Sequence, residues 1–184
     1  MTESNEAAGS GEVIEHGTSR TRGDTHTLHW TLTLPHPVEE VWAAVATPEG
    51  LPGWLAAADV FEPRLGGAVT LRWLTVSDQG TPSPGPDPAA ATHSGHVTAW
   101  DPDVVAEYTV DLHGRCRFHL EPAGTGRTAL RFTNEMVGDD SLRRDCLAGW
   151  HQHFEYLAQA LAGRPMDWST WSSERFQELR RSYD

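Results

Sequence analysis

The spacing of apolar residues changes near residue 140, and this change restricts the fold more than any other feature of the sequence. Before it, apolar and polar residues alternate in short segments, which is typical of strands with one buried face. After it, apolar residues recur every three or four positions, which predicts one long helix from about Asp140 to Leu161. This apolar stripe consists of Leu147, Trp150, Phe154, Leu157 and Leu161. The sequence therefore predicts an α+β domain in which an antiparallel sheet packs on a C-terminal helix.

The alternating segments predict a meander that begins with a hairpin. The sequence RGD at 22–24 lies near the hairpin tip, and the second arm alternates leucine or tryptophan with threonine or histidine. Its inward face is expected to carry Leu28, Trp30, Leu32 and Leu34. After a further strand in AVTLRWLTV, four strands follow in GHVTAW, VVAEYTVDL, RCRFHLEP and TALRFTNEM, joined by short polar turns.

A short helix is predicted between the hairpin and the meander. Pro37 fits its first turn, the acidic pair Glu39–Glu40 suits the positive end of the helix dipole, and Pro48 ends it. The next segment is expected to form a second short turn that presents Leu51, Trp54 and Leu55.

The chain is predicted to contain one domain. Residues 1–11 are small and polar and are expected to be disordered, whereas residues 12–163 are expected to form the domain. A loop rich in proline and glycine is expected within it, at 77–93. Residues 164–184 are predicted to be a tail with a short helix, lined by Trp168, Phe176, Leu179 and Tyr183.

Composition excludes several classes of partner. All 14 basic residues are arginines and 26 residues are acidic, so the net charge of −12 disfavours nucleic acid. The sequence contains neither an apolar run that could span a membrane nor an N-terminal signal peptide. Two cysteines, Cys116 and Cys146, are too few for a disulfide framework. These features favour a cytoplasmic protein with two free thiols.

Two histidine-containing motifs resemble metal sites, but neither has suitable geometry. His151 and His153 lie two positions apart on the predicted helix, so their side chains point to opposite sides. His151 is expected to face solvent beside Glu155, and His153 to lie at the edge of the apolar stripe. In the strand RCRFHLEP, Cys116, Phe118 and Leu120 should face the core, whereas Arg115, Arg117 and His119 should face water. No metal and no cofactor is predicted.

Motifs for nucleophilic catalysis or phosphate binding do not occur. The sequence lacks a G-x-S-x-G motif, and its glycine-rich turns lack the lysine and the spacing of a phosphate-binding loop. Paired carboxylates at 39–40 and 139–140 fall at predicted helix starts, where capping explains them. No catalytic residue can be assigned.

The chain is rich in tryptophan, with eight in 184 residues. Five of them, at 30, 42, 54, 73 and 150, occupy positions where the pattern predicts an inward or cavity-rim side chain. Two interpretations remain open. The rings either fill the core or line a space between the sheet and the long helix.

The order of these elements resembles the Bet v 1-like, or START-like (SRPBCC), superfamily with its helix-grip fold. Within it, the chain is similar to bacterial single-domain members of the branch named after the activator of Hsp90 ATPase. The motifs that carry the resemblance are Pro35–Trp42, Pro48–Trp54, Gly66–Gly67, and Gly149–Trp150 leading into the helix. The resemblance covers roughly residues 12–163.

The resemblance implies a curved antiparallel sheet of about seven strands around the C-terminal helix, with two short helices closing one end. Such proteins commonly hold an apolar cavity between sheet and helix, so a hydrophobic small molecule is the expected partner. The side chains expected to line this cavity are mostly aromatic: Trp42, Trp54, Trp73, Tyr108, Phe118, Phe132, Asn134, Trp150, His153 and Phe154. Among them, Tyr108, Asn134 and His153 are expected to orient the ligand through hydrogen bonds.

Two other functions remain open. Superfamily members that cyclise polyketides suggest a cyclase or aromatase in which His153 or Tyr108 acts as a general acid or base. The branch name suggests a co-chaperone or other protein-interaction role, for which the aromatic tail at 164–184 offers the best surface. That tail either packs on the body or mediates a homodimer.

Overall fold

The computed structural model describes residues 13–74 and 92–183. The strands are β1 (Thr18–Arg22), β2 (Thr25–Leu34), β3 (Ala56–Phe61), β4 (Ala68–Trp73), β5 (Thr92–Asp101), β6 (Val105–Val110), β7 (Gly114–Pro122) and β8 (Thr128–Val137). The helices are α1 (Val38–Val45), α2 (Asp140–Leu161) and α3 (Glu174–Ser182), with single 3-10 turns at Leu51–Gly53 and Trp168–Thr170. Residues 1–11, which were predicted to be disordered, lie outside the described residues.

The described strands form one antiparallel sheet in the order β1-β2-β8-β7-β6-β5-β4-β3. The N-terminal hairpin joins the meander through β2 and β8, where Trp30 pairs with Phe132. Helix α2 follows β8 and packs against the sheet, which confirms the α+β fold expected from the resemblance. The described sheet has eight strands rather than about seven, because the segment before the Gly66–Gly67 turn forms a strand of its own, β3.

The predicted periodicities are confirmed in β2, β7 and α2. The leucine and tryptophan side chains of β2 are buried, and β7 buries Cys116, Phe118 and Leu120 while its arginines remain more exposed. Helix α2 begins where the Asp139 carboxylate accepts a hydrogen bond from Leu142 N at 2.8 Å, and the left-handed Gly163 follows its end. The two ends of α2 therefore depend on local capping.

The expected loop at 77–93 ends too late, because Thr92 and His93 already belong to β5. Their backbones pair with Arg72 and Leu71 of β4. The remaining part of that loop lies outside the described residues. No helix in residues 13–74 and 92–183 has the length and apolar character needed to cross a membrane.

Aromatic rings fill the centre between the sheet and α2. Phe132 of β8 lies 4.3 Å from the Trp150 ring and 5.1 Å from the Phe154 ring, measured between ring centroids. Trp54 contacts both Phe118 and Phe154, at 6.1 and 6.2 Å. Because protein interiors are close-packed, these interlocking rings make the middle of the fold a core rather than a hollow.

The prediction that His151 faces solvent is wrong. Its side chain is buried, because α3 and the segment before β1 fold over that face of α2. His151 Nδ1 lies 2.7 Å from the Tyr183 hydroxyl, and the His16 ring packs 5.1 Å away. Burial lowers the pKa of His151, against the opposing effect of Glu155. The C-terminal tail is thus anchored on the domain through α2.

Candidate functional site

A pocket of about 300 Å³ opens at one end of α2, beside the packed core. Its walls come from β4, the first residues of β5, the turn between β6 and β7, α2 and α3. The side chains that define it are Trp73, His93, His113, Trp150, His153 and Phe176. Residues far apart in the sequence therefore meet here because the sheet edge, the long helix and the tail converge.

The Trp73 ring is the centre of this pocket. Its centroid lies 5.0 Å from that of His113, 6.0 Å from that of His153 and 6.1 Å from that of His93. Trp73 is the last residue of β4 and stays partly exposed, whereas Trp54 is fully buried. We define the Trp73 pocket as the space bounded by these rings.

His153 is held in one orientation by the backbone. Its Nδ1 lies 2.7 Å from the carbonyl oxygen of Trp54, which can only accept a hydrogen bond. Nδ1 must therefore carry the proton in the neutral ring. Burial lowers the pKa of His153 to about 4, outweighing the opposite effect of that carbonyl, so the ring is neutral at pH 7.

His113 lies on the turn between β6 and β7 and faces His93, with ring centroids 5.4 Å apart. Burial lowers the pKa of His113 to about 4, and the proximity of His93 and His153 acts in the same direction. The preceding residue, Leu112, has a φ of 67° and is 60% exposed although it lines the pocket. A left-handed leucine costs about 1–2 kcal/mol, so this turn holds an apolar side chain at the pocket mouth at the expense of backbone strain.

Asn134 connects the turn to α2. Its Nδ2 donates to the carbonyl oxygens of His113 at 2.6 Å and Arg115 at 3.1 Å, and its Oδ1 accepts from Trp150 Nε1 at 3.0 Å. Asn134 is fully buried, so it positions pocket residues and does not itself contact the pocket. Its amide thus links the backbone of His113 to the indole of Trp150.

The ten residues expected to line a cavity fall into three groups. Trp73, Trp150 and His153 line the Trp73 pocket. Two residues lie outside the lining. The Trp42 ring packs on Trp100, with centroids 5.1 Å apart, and the buried Asn134 hydrogen-bonds to His113 and Trp150 of the pocket. The remaining five are packed in the core: Trp54, Tyr108, Phe118, Phe132 and Phe154.

Sequence reasoning missed several residues of this pocket, among them His93, Leu112, His113, Cys146 and Phe176. A short polar turn was predicted after β6, but its sequence gave no sign that the His113 ring would face α2. Burial raises the pKa of the Cys146 thiol to about 12, so it stays protonated. Within residues 13–74 and 92–183, no three histidine, cysteine or acidic side chains are placed to hold a metal ion.

A second groove, of about 380 Å³, runs along the opposite side of α2. Its lining includes Glu155 and Arg175, which already form an ion pair at 2.5 Å. Among the described residues, its lining has no aromatic ring other than His36, whereas the Trp73 pocket presents two tryptophans and three histidines. The Trp73 pocket is the better candidate site.

The family model for "Activator of Hsp90 ATPase homolog 1-like protein" matches residues 35–162. The chain belongs to this family. The matched region runs from just before α1 to just past the end of α2, so it includes every side chain that defines the Trp73 pocket except Phe176.

Solved structures of several bacterial proteins resemble the chain at low sequence identity. A conserved protein of unknown function from Enterococcus faecalis is 15% identical with a TM-score of 0.65, and the match covers 91% of this chain and 87% of that one. CalU16 from Micromonospora echinospora is 15% identical with a TM-score of 0.62, over 92% and 95%. A Bordetella parapertussis protein is 22% identical with a TM-score of 0.62, over 93% and 90%. These similarities support the fold alone. No curated protein matches the chain.

Proposed function

We propose that this family member binds a small aromatic molecule in the Trp73 pocket. The observation that carries this proposal is the contrast between Trp73 and the core tryptophan Trp54. Trp54 is enclosed by packed rings, whereas Trp73 presents its ring to a pocket bordered by three histidines. A ring seated there would bury apolar surface and gain aromatic contacts.

The size of the pocket favours a compact ligand. A volume of about 300 Å³ lies at the lower end of the range for small-molecule sites. The central space that a long lipid or a steroid would need is occupied by Phe118, Phe132 and Phe154. A molecule of one or two fused rings suits the space that remains.

The electrostatics favour a neutral ligand over an anion. His113 and His153 are uncharged at pH 7, and the described lining contains no arginine. The acidic group at the pocket, Asp145, already forms an ion pair with Arg180. An anion would therefore lose its hydration without gaining an arginine countercharge from the described lining.

Titration calorimetry with 1-naphthol provides the test. Trp73→Ala is expected to weaken naphthol binding about 10-fold or more, because a central aromatic contact is lost. Trp42→Ala is the matched control, since it removes a tryptophan that lies outside the pocket lining. Equal weakening by both substitutions, or no measurable binding of naphthol to the unmodified chain, would contradict the proposal.

A cyclase or aromatase function is less well supported by the same residues. A histidine with a pKa of about 4 is a weak base at pH 7, whereas general acid–base catalysis works best with a pKa near the operating pH. Burial raises the pKa of Tyr108 well above its ordinary value, and its ring lies in the core. Binding requires neither group to transfer a proton.

The aromatic tail gives little support to a co-chaperone role or a homodimer. The Trp168 indole donates to the Pro52 carbonyl at 2.7 Å, and Leu179 is buried. This surface is therefore used within the chain.

Cys116 and Cys146 are both free thiols, which favours a reducing compartment such as the cytoplasm.

A further inference from the structure

We propose that the ligand of the Trp73 pocket is a hydroxylated aromatic molecule whose hydroxyl donates a hydrogen bond to His153 Nε2. This inference rests on the proposed function and specifies its ligand class. It depends on the direction of the hydrogen bond that orients His153.

The Trp54 carbonyl determines which nitrogen of His153 can act as an acceptor. Since Nδ1 donates to that carbonyl at 2.7 Å, Nε2 carries the lone pair of the neutral ring. Among the described residues, no group donates a hydrogen bond to Nε2. His153 lines the pocket, so Nε2 is the polar atom that this side chain can offer to an occupant.

Other polar groups of the lining can also accept a hydrogen bond, but His153 differs from them because the backbone determines which of its nitrogens is the acceptor. Trp150 Nε1 is a donor and is already engaged by Asn134 Oδ1. The Asp145 carboxylate is paired with Arg180, and the Cys146 thiol is a weak acceptor. A neutral imidazole has one donor and one acceptor, so His93 and His113 can each bind either kind of group when uncharged. His153 is therefore the histidine of the lining that, when neutral, can only accept a hydrogen bond from an occupant.

Comparing a phenol with its methyl ether separates this inference from simple apolar binding. A purely apolar pocket favours the ether, because burying an unpaired hydroxyl costs free energy. A pocket with a free acceptor favours the phenol, because the hydroxyl gains a partner that the ether cannot use. The order of the two affinities thus distinguishes the two kinds of pocket.

The experiment titrates the full chain at pH 7 with 1-naphthol and, separately, with 1-methoxynaphthalene. We expect 1-naphthol to bind about 10-fold more tightly. His153→Gln, whose amide can donate to the Trp54 carbonyl and still present an oxygen acceptor, should retain part of this preference. His153→Phe, which keeps a ring but has no acceptor, should remove it.

Each outcome has a distinct meaning. Equal affinities, or tighter binding of the ether, would overturn this inference and leave the proposed function intact. Failure of both compounds to bind would overturn the proposed function and this inference with it. A preference for 1-naphthol that persists in His153→Phe would also overturn this inference. If His153→Phe does not fold, an undiminished preference in His153→Gln would overturn it instead.

Discussion

Replacing Trp54 with alanine is expected to lower the free energy of unfolding by about 3–5 kcal/mol. The Trp54 ring is fully buried, packs against Phe118 and Phe154, and donates its indole hydrogen to the Ala44 carbonyl at 2.9 Å. Alanine would leave a cavity in the aromatic core and an unpaired carbonyl. Urea denaturation of both proteins, fitted with a common m-value, measures the loss.

Trp42→Ala provides the comparison for this prediction. Trp42 is only partly buried and its ring contacts Trp100, so its removal should cost less than removal of the fully buried Trp54. Equal losses for the two substitutions would contradict a core centred on Trp54, Phe118 and Phe154.

Acidification is expected to destabilise the fold because two histidines are held neutral. The pKa of His113 and of His153 is about 4 in the folded chain, against an ordinary value of 6.5. Between pH 6.5 and 4 the unfolded chain therefore binds more protons than the folded chain, so the free energy of unfolding falls as the pH falls. The loss is on the order of 2–3 kcal/mol for each histidine.

The measurement is the free energy of unfolding at several pH values between 7 and 4.5, for the unmodified chain and for the double variant His113→Gln/His153→Gln. Carboxylates titrate in both proteins, so the difference between the two pH slopes isolates the histidines. His93 faces His113 and is retained in both. Identical slopes in this range would show that these rings are not held neutral by burial.

Much of the fold could be predicted because it depends on local patterns. Alternation in β2 and β7, the helical period of α2 and the capping of α2 by Asp139 each involve neighbouring residues. The family resemblance supplied the topology that joins them. The strand β3 was missed because its residues show no clear alternation and its pairing with β4 contains an irregularity near Ala58.

The site was harder to predict because it depends on how distant segments meet. An inward aromatic side chain has the same sequence pattern whether it fills a core or borders a cavity, so Phe132 and Trp73 could not be told apart. Their environments differ because Phe132 packs within the sheet–helix interior and Trp73 lies at the end of β4. His151 was assigned to solvent because no helical pattern shows that Tyr183 and His16 return to cover it.

The packed interior changes where a ligand would bind in this family member. The resemblance suggested a hollow between the sheet and the helix, but packed aromatic rings occupy that region. The remaining space lies at the end of α2, where the tail contributes Phe176 as one wall. The tail of this chain is thus part of the candidate site. The contacts of Tyr183 and Leu179 that hold the tail on the domain also hold Phe176 at the pocket.

Indole N–H signals in a ¹H–¹⁵N NMR titration with 1-naphthol test the position of the site most directly, with assignments from single tryptophan-to-phenylalanine variants. If the Trp73 pocket binds the ligand, the signals of Trp73 and Trp150 should shift with naphthol concentration. The signals of Trp42 and Trp100, which pack on each other outside the pocket lining, should stay in place. Shifts confined to Trp42 and Trp100, or no shift of Trp73 at saturating naphthol, would contradict a binding site centred on Trp73.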